Sequence, residues 1–162
     1  MPMLSKIAPS FWFVKEAEEA ANLYVSAFPD SRIDRVWTLE VETPSGPPGS
    51  VKVVEFTLAG QSFTAMDAGK LDDFNHAISF TVNCADQAEI DHYWDALQAG
   101  GGSPEQCGWL KDRFGVCWQI VPVALNEMQS SSDRAAAGRT AVAMLKMVKL
   151  DLAKLQAAYD GA

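Results

Sequence analysis

The feature that most constrains the fold of this chain is an internal repeat. Residues 8–28 match residues 77–97 at a constant offset of 69 positions, with no gap across either segment. The offset aligns these pairs: Ala8 with Ala77, Ser10 with Ser79, Phe11 with Phe80, Tyr24 with Tyr93 and Ala27 with Ala96. Sequence similarity at a fixed spacing indicates a duplicated structural unit. The repeat therefore predicts two copies of one module.

Apolar periodicity predicts the same order of elements in each half: a strand, a helix and about three further strands. In the first half the predicted elements are a strand at 6–14, a helix at 15–28 and strands at 32–41, 51–58 and 61–67. In the second half they are a strand at 77–83, a helix that begins at Asp86, a weak strand at 103–106 and strands at 109–113 and 116–121. The pattern predicts an α+β chain of two βαβββ modules, about 6–67 and 76–122, within one domain at 1–126.

A third segment follows the two modules. Residues 126–132 are predicted to form a polar connector, and residues 133–159 a long helix with one apolar stripe. The stripe consists of Ala141, Met144, Leu145, Val148, Leu152, Leu155 and Tyr159. Seven apolar residues exposed in one line would form a patch of several hundred Å², which is unusual in a monomer. The stripe therefore predicts a two-fold homodimer. The alternative is that the helix packs on its own domain.

Charge and composition exclude some partners and indicate a compartment. The formal net charge of the 162-residue chain is −8, which disfavours binding to a nucleic-acid backbone. No stretch approaches the ~20 apolar residues that would span a membrane. The N-terminal residues lack the apolar core of a signal peptide, and the three cysteines form no Cys-x-x-Cys pair. We therefore expect a cytoplasmic protein without membrane or nucleic-acid partners.

Several long segments are distinctive: FWFVKEAEEAANLYVSAFPDSRI, VEFTLAGQSFTAM, FNHAISFTVNCADQAEIDHYWDAL and CGWLKDRFGVCWQIVP. They resemble the PhnB-like branch of the glyoxalase/bleomycin-resistance (vicinal oxygen chelate) superfamily, whose members often carry a demethylubiquinone methyltransferase label. The resemblance implies a curved mixed sheet, with helices on its convex face and a ligand-binding cup on its concave face. The glycine-rich strand-to-helix turn typical of methyltransferases that use S-adenosylmethionine is missing from the sequence, which argues against methyl transfer.

The resemblance also implies where a metal ion would bind. The metalloenzymes of the superfamily place ligands, mostly His and Glu, at four cup positions, which fall here on Ala8, Thr64, Ala77 and Gln119. Alanine has no donor atom, and a divalent metal needs at least three good protein donors. We therefore expect no metal and no cofactor. His76 is the histidine nearest to these positions, and a displaced metal site near it is an alternative.

Strand alternation predicts which side chains line the cup. It places Ile78, Phe80 and Val82 against the helix, while the residues predicted to bind ligand are Trp12, Thr64, Ser79, Trp109 and Gln119. Cys117 also faces the cup, as an apolar filler rather than a nucleophile.

Few residues of the predicted cup suit acid–base catalysis. Glu55 and Lys111 are weak candidates, the first as a general base. The residues 111–113 more simply form a solvated run of charges. Two functions remain: a metal-independent protein that binds a small molecule, of unassigned activity, or an enzyme. The enzyme would be a lyase, an isomerase or dioxygenase-like, acting on a small oxygenated substrate.

Overall fold

The computed structural model of the chain describes residues 4–162. The chain divides between Asp73 and Phe74 into two compact units. Unit one contains the first module, and unit two contains the second module together with the C-terminal helices. Each unit builds its own four-stranded mixed sheet.

Unit one has the predicted order of elements: β1 (Ser10–Phe13), α1 (Ala17–Ala27), β2 (Arg32–Thr38), β3 (Lys52–Leu58) and β4 (Gln61–Asp67). Its strands lie in the order β1-β4-β3-β2, with β1 parallel to β4 and the other neighbours antiparallel. The core lies between the sheet and the alanine-rich face of α1. Five aromatic rings pack there, with centroids 5.5–6.5 Å apart. They belong to Phe11, Phe13, Tyr24, Phe56 and Phe63.

Unit two repeats this arrangement with β5 (Phe80–Cys84), α2 (Gln87–Leu97), β6 (Ser103–Pro104), β7 (Trp109–Lys111) and β8 (Cys117–Pro122). The strand order is β5-β8-β7-β6, and β5 is parallel to β8. The positions and directions of the strands match those of unit one element by element. The predicted α+β fold of two βαβββ modules is therefore confirmed.

The starts of the first strands differ from the prediction. β5 begins only at Phe80, because the Asn75 side chain accepts a hydrogen bond from the Ala77 amide (2.8 Å) and holds that stretch in a turn. Ile78 lies outside the strand and is 74% exposed, so its predicted contact with the helix is wrong. Ala8 likewise precedes β1 and is exposed. Strand alternation cannot be extended to residues that pair with no neighbouring strand.

The C-terminal segment also differs from the prediction. The expected polar connector is largely helical, as α3 (Val123–Ser130). The expected long helix is two helices, α4 (Arg134–Met144) and α5 (Leu152–Asp160). Between them, the carbonyl groups of Met147 and Val148 accept hydrogen bonds from the amides of Cys107 and Gly108, each 2.8 Å long. These contacts pull the intervening residues out of the helix.

Within unit two, the three C-terminal helices pack together and against the end of β8. Their shared core contains residues of β8, α3, the interhelical segment and α5, namely Val121, Leu125, Met128, Leu150 and Leu155. Three further residues of the predicted stripe, Met144, Leu152 and Tyr159, pack against this core. Only Leu145 and Val148 of the described stripe stay strongly exposed, at 62% and 40%. Within the chain, Leu155 of the stripe is thus buried, and Met144, Leu152 and Tyr159 are partly buried. Within residues 4–162, none of the helices has the length and apolar character needed to cross a membrane.

Candidate functional site

The sheet of unit one has an open face, which we define as the face opposite α1. The observed register places two rows of side chains on it, each crossing all four strands. One row, the tryptophan row, consists of Trp12, Met66, Val53 and Trp37. The other row, the ion-pair row, consists of Ser10, Thr64, Glu55 and Arg35. The predicted ligand residues Trp12 and Thr64 therefore share this face, in neighbouring rows.

Trp12 and Trp37 lie at opposite ends of the tryptophan row. They are 36% and 38% exposed, which is high for large aromatic side chains. Their indole N–H groups are already engaged: Trp12 donates to the Gly69 carbonyl (2.6 Å), and Trp37 donates to the Glu55 carboxylate (3.3 Å). Because these bonds fix the rings, both residues offer apolar surface rather than a hydrogen-bond donor.

Glu55 is held by Arg35 in a bidentate ion pair. The Nε and Nη2 atoms of Arg35 donate to the two carboxylate oxygens at 2.8 and 2.9 Å. These bonds from Arg35 lower the pKa of Glu55, although partial burial opposes the change. A carboxylate stabilised in this way is a weak base. The predicted role of Glu55 as general base therefore gains no support from its surroundings.

The open face of unit two, opposite α2, carries polar residues instead. Gln119 donates a hydrogen bond to the Ser79 hydroxyl (2.8 Å), and it pairs across the sheet with Trp109. The Nε2 atom of His76 lies 2.7 Å from a Glu105 carboxylate oxygen, and its ring is 5.8 Å from the ring of Trp109. Three predicted ligand residues thus lie on one face, beside a histidine–glutamate pair that the sequence did not indicate.

Lys111 lies on the same face of unit two, paired across the strands with Cys117. Burial raises the pKa of the Cys117 thiol, and the nearby Lys111 only partly offsets this effect. Cys117 therefore stays a thiol at neutral pH, which agrees with its predicted role as a filler. The residue that follows Lys111 is not part of a solvated charge run. Asp112 is 3% exposed and accepts hydrogen bonds from three N–H groups.

The register also shows which positions of the two units correspond. Thr81 pairs with Gln119, and its repeat equivalent Trp12 pairs with Met66. Met66, and not Thr64, is therefore the unit-one counterpart of Gln119. A methionine sulfur is a soft, weak ligand that does not suit hard divalent cations. Within residues 4–162 there is no cluster of three or more His, Cys, Asp or Glu side chains that could hold a metal.

Sequence reasoning missed Arg35 and Trp37 in unit one and Glu105 in unit two. Arg35 and Trp37 are two positions apart in a predicted strand, so alternation alone places them on one face. It could not say which face, because an irregularity between Ile33 and Arg35 shifts the pairing with β3. No local signal predicts the contact of Glu105 with His76, which lies 29 positions earlier.

Comparison with known proteins identifies the family. Residues 5–121 match the family of 3-demethylubiquinone-9 3-methyltransferase. The chain belongs to this PhnB-like family. The PhnB protein from Bacillus cereus is 32% identical and has a TM-score of 0.62, covering 74% of this chain and 100% of its own. The predicted family is therefore confirmed. Among curated proteins, none matches the sequence.

Two more distant structures support the fold alone. Protein PA1353 from Pseudomonas aeruginosa is 19% identical, with a TM-score of 0.55, and covers 73% of this chain and 97% of its own. The fosfomycin resistance protein FosX from Mesorhizobium loti is 15% identical, with a TM-score of 0.52, and covers 80% of this chain and 99% of its own. The glyoxalase/bleomycin-resistance fold of this family member is thereby supported. The match to the family ends before α3, so the C-terminal helices lie beyond it.

Proposed function

We propose that this PhnB-like protein binds a small organic molecule on the open face of unit one, without a metal ion. The observation that carries the proposal is the tryptophan row, with its two half-exposed rings at opposite ends. Neighbouring strands are about 4.8 Å apart, so the row spans about 14 Å, which suits a ligand of one or two rings. Small-molecule sites are commonly apolar with a few placed polar groups. The neighbouring ion-pair row supplies those groups.

Substitution of Trp37 by alanine is expected to weaken binding of an aromatic probe about tenfold, because an aromatic contact with the indole contributes about 1.4 kcal/mol. The probe is 2-acetylnaphthalene, and the measurement follows the tryptophan indole signals in ¹H–¹⁵N NMR spectra during titration. The matched control is Val36→Ala, on the same strand and also exposed (43%), but outside the tryptophan row. Indole signals that do not move at millimolar probe would contradict the proposal.

We also expect the purified protein to contain no stoichiometric zinc, nickel, iron or manganese. The expected ligand positions hold Ala8, Ala77 and Gln119, with Met66 or Thr64 as the fourth, which is too few good donors. Elemental analysis by mass spectrometry measures the metal content per chain. One tightly held metal that is lost on Gln119→Ala substitution would refute this expectation and favour an enzyme.

A second candidate function is catalysis of proton transfer on unit two. The observation that favours it is the His76–Glu105 pair, since a carboxylate orients a histidine that acts as a general base. The substrate would be a small oxygenated molecule, and Ser79, Gln119 and Lys111 would line its site. Deuterium exchange next to a substrate carbonyl in heavy water tests this function. Exchange that survives His76→Gln, with His92→Gln as the control, would exclude it.

We also propose that the protein assembles as a homodimer, through a smaller surface than the full apolar stripe. Three exposed apolar residues, Val142, Leu145 and Val148, support it on α4 and the segment after it. Light scattering at high micromolar concentration tests it, and a protein that stays monomeric there contradicts it.

A cytoplasmic location is also proposed, supported by three free cysteines. Cell fractionation tests the location.

A further inference from the structure

We propose that the ligand of unit one is a planar aromatic molecule whose polar edge carries oxygen acceptors, as carbonyl or carboxylate groups. This inference rests on the proposed binding at the tryptophan row and names the class of ligand. The polar edge lies over the ion-pair row, toward Arg35. The ring body lies over Met66 and Val53, between the two tryptophans.

The ion-pair row presents donors to a ligand more than acceptors. The Arg35 side chain is 65% exposed, whereas its partner Glu55 is only 18% exposed. Three N–H groups already donate to the Glu55 carboxylate, two from Arg35 and one from Trp37. The Nη1 atom of Arg35 makes no hydrogen bond within the described residues 4–162, so it is available. A ligand that approaches this row therefore meets a guanidinium group first.

The remaining polar groups of the row do not reverse this preference. The hydroxyl groups of Ser10 and Thr64 can donate or accept, so they accommodate an oxygen acceptor as readily as a donor. Ser10 on β1 and Thr64 on β4 are direct cross-strand neighbours. They leave Arg35 as the group that discriminates between ligands.

A cationic ligand fits this face poorly. The charge of Glu55 is already compensated by Arg35, and a ligand ammonium group would have to approach the guanidinium. Trp12 and Trp37 lie about 14 Å apart by strand spacing, so they cannot enclose one cation between them. The net charge of −8 repels anions at long range, but screening at physiological salt limits this effect to about 8 Å. The polar edge of the ligand can therefore carry either a neutral carbonyl group or a carboxylate.

The test compares three probes with one ring system and different polar edges. They are 2-acetylnaphthalene, 2-naphthoate and 2-naphthylmethylammonium, titrated at physiological salt with the indole NMR signals as readout. The two oxygen probes are expected to bind about tenfold more tightly than the ammonium probe, as one hydrogen bond to a charged donor allows. Glu55→Gln should tighten 2-naphthoate binding further, because it leaves the guanidinium charge uncompensated.

The double variant Arg35→Gln with Glu55→Gln should lose the preference for oxygen probes. Arg32→Gln is the matched control, since Arg32 is also on β2, is 58% exposed and pairs with Asp34 instead. Ammonium binding as tight as that of the oxygen probes, or a preference that survives in the double variant, overturns the inference and leaves the proposed function standing. Failure of all three probes to bind overturns the proposed function, and the inference with it. A thermal melt of each variant verifies folding.

Discussion

Substitution of Leu155 by alanine is expected to lower the free energy of unfolding by about 3 kcal/mol. Leu155 is fully buried in the core that joins β8 to the C-terminal helices, where it packs with Leu125, Met128 and Leu150. Removing its branched side chain deletes apolar contacts and leaves a cavity that helices anchored at several points cannot fill. Urea denaturation followed by far-UV circular dichroism measures the loss.

The matched control is Val142→Ala. Val142 lies on α4 in the same helical region but is 54% exposed, so its truncation should change stability by less than about 0.5 kcal/mol. Equal effects of the two substitutions would mean that Leu155 is not buried in a core shared by β8 and the C-terminal helices.

Substitution of Asp112 by alanine is expected to destabilise the protein by a similar amount, about 3 kcal/mol. The buried carboxylate accepts hydrogen bonds from the amides of Phe114 (2.9 Å) and Val116 (3.0 Å) and from the Trp118 indole (3.0 Å). Alanine would leave these donors without their acceptor in the interior, where each lost bond is costly. Urea denaturation followed by far-UV circular dichroism measures the change.

Two other substitutions sharpen this prediction. Asp112→Asn keeps one oxygen to accept from the amides of Phe114 and Val116 and loses only the acceptor of the Trp118 indole, so it should cost less than Asp112→Ala. Asp95→Ala removes an exposed carboxylate from α2 and should have little effect. If Asp112→Ala behaved like Asp95→Ala, the three hydrogen bonds would contribute nothing to stability, and the turn between β7 and β8 would need another explanation.

The sequence alone determined the features that depend on internal similarity or on short-range patterns. The repeat at 69 positions predicted two modules, which form two sheets of identical topology. Alternation placed Trp12 on the face away from the helix, and Trp12 is 36% exposed whereas its neighbours Phe11 and Phe13 are buried. The helix predicted to begin at Asp86 does so: the Asp86 side chain accepts a hydrogen bond from the Glu89 amide (2.9 Å) at the start of α2. The strand faces and the start of the helix depend on residues only a few positions apart, and the duplication is visible as similarity within the sequence itself.

Only the tertiary structure decided the features that depend on distant segments. The long apolar pattern of 133–159 is compatible with one helix, but contacts of Met147 and Val148 with residues 40 positions earlier interrupt it. A side-chain Cβ at position 108 would lie 2.9 Å from the Ile120 carbonyl oxygen, so glycine permits this close approach. The ion pair of Arg35 with Glu55 likewise depends on strand register. Periodicity specifies which face a side chain occupies, whereas its partner is set by how separate segments pack.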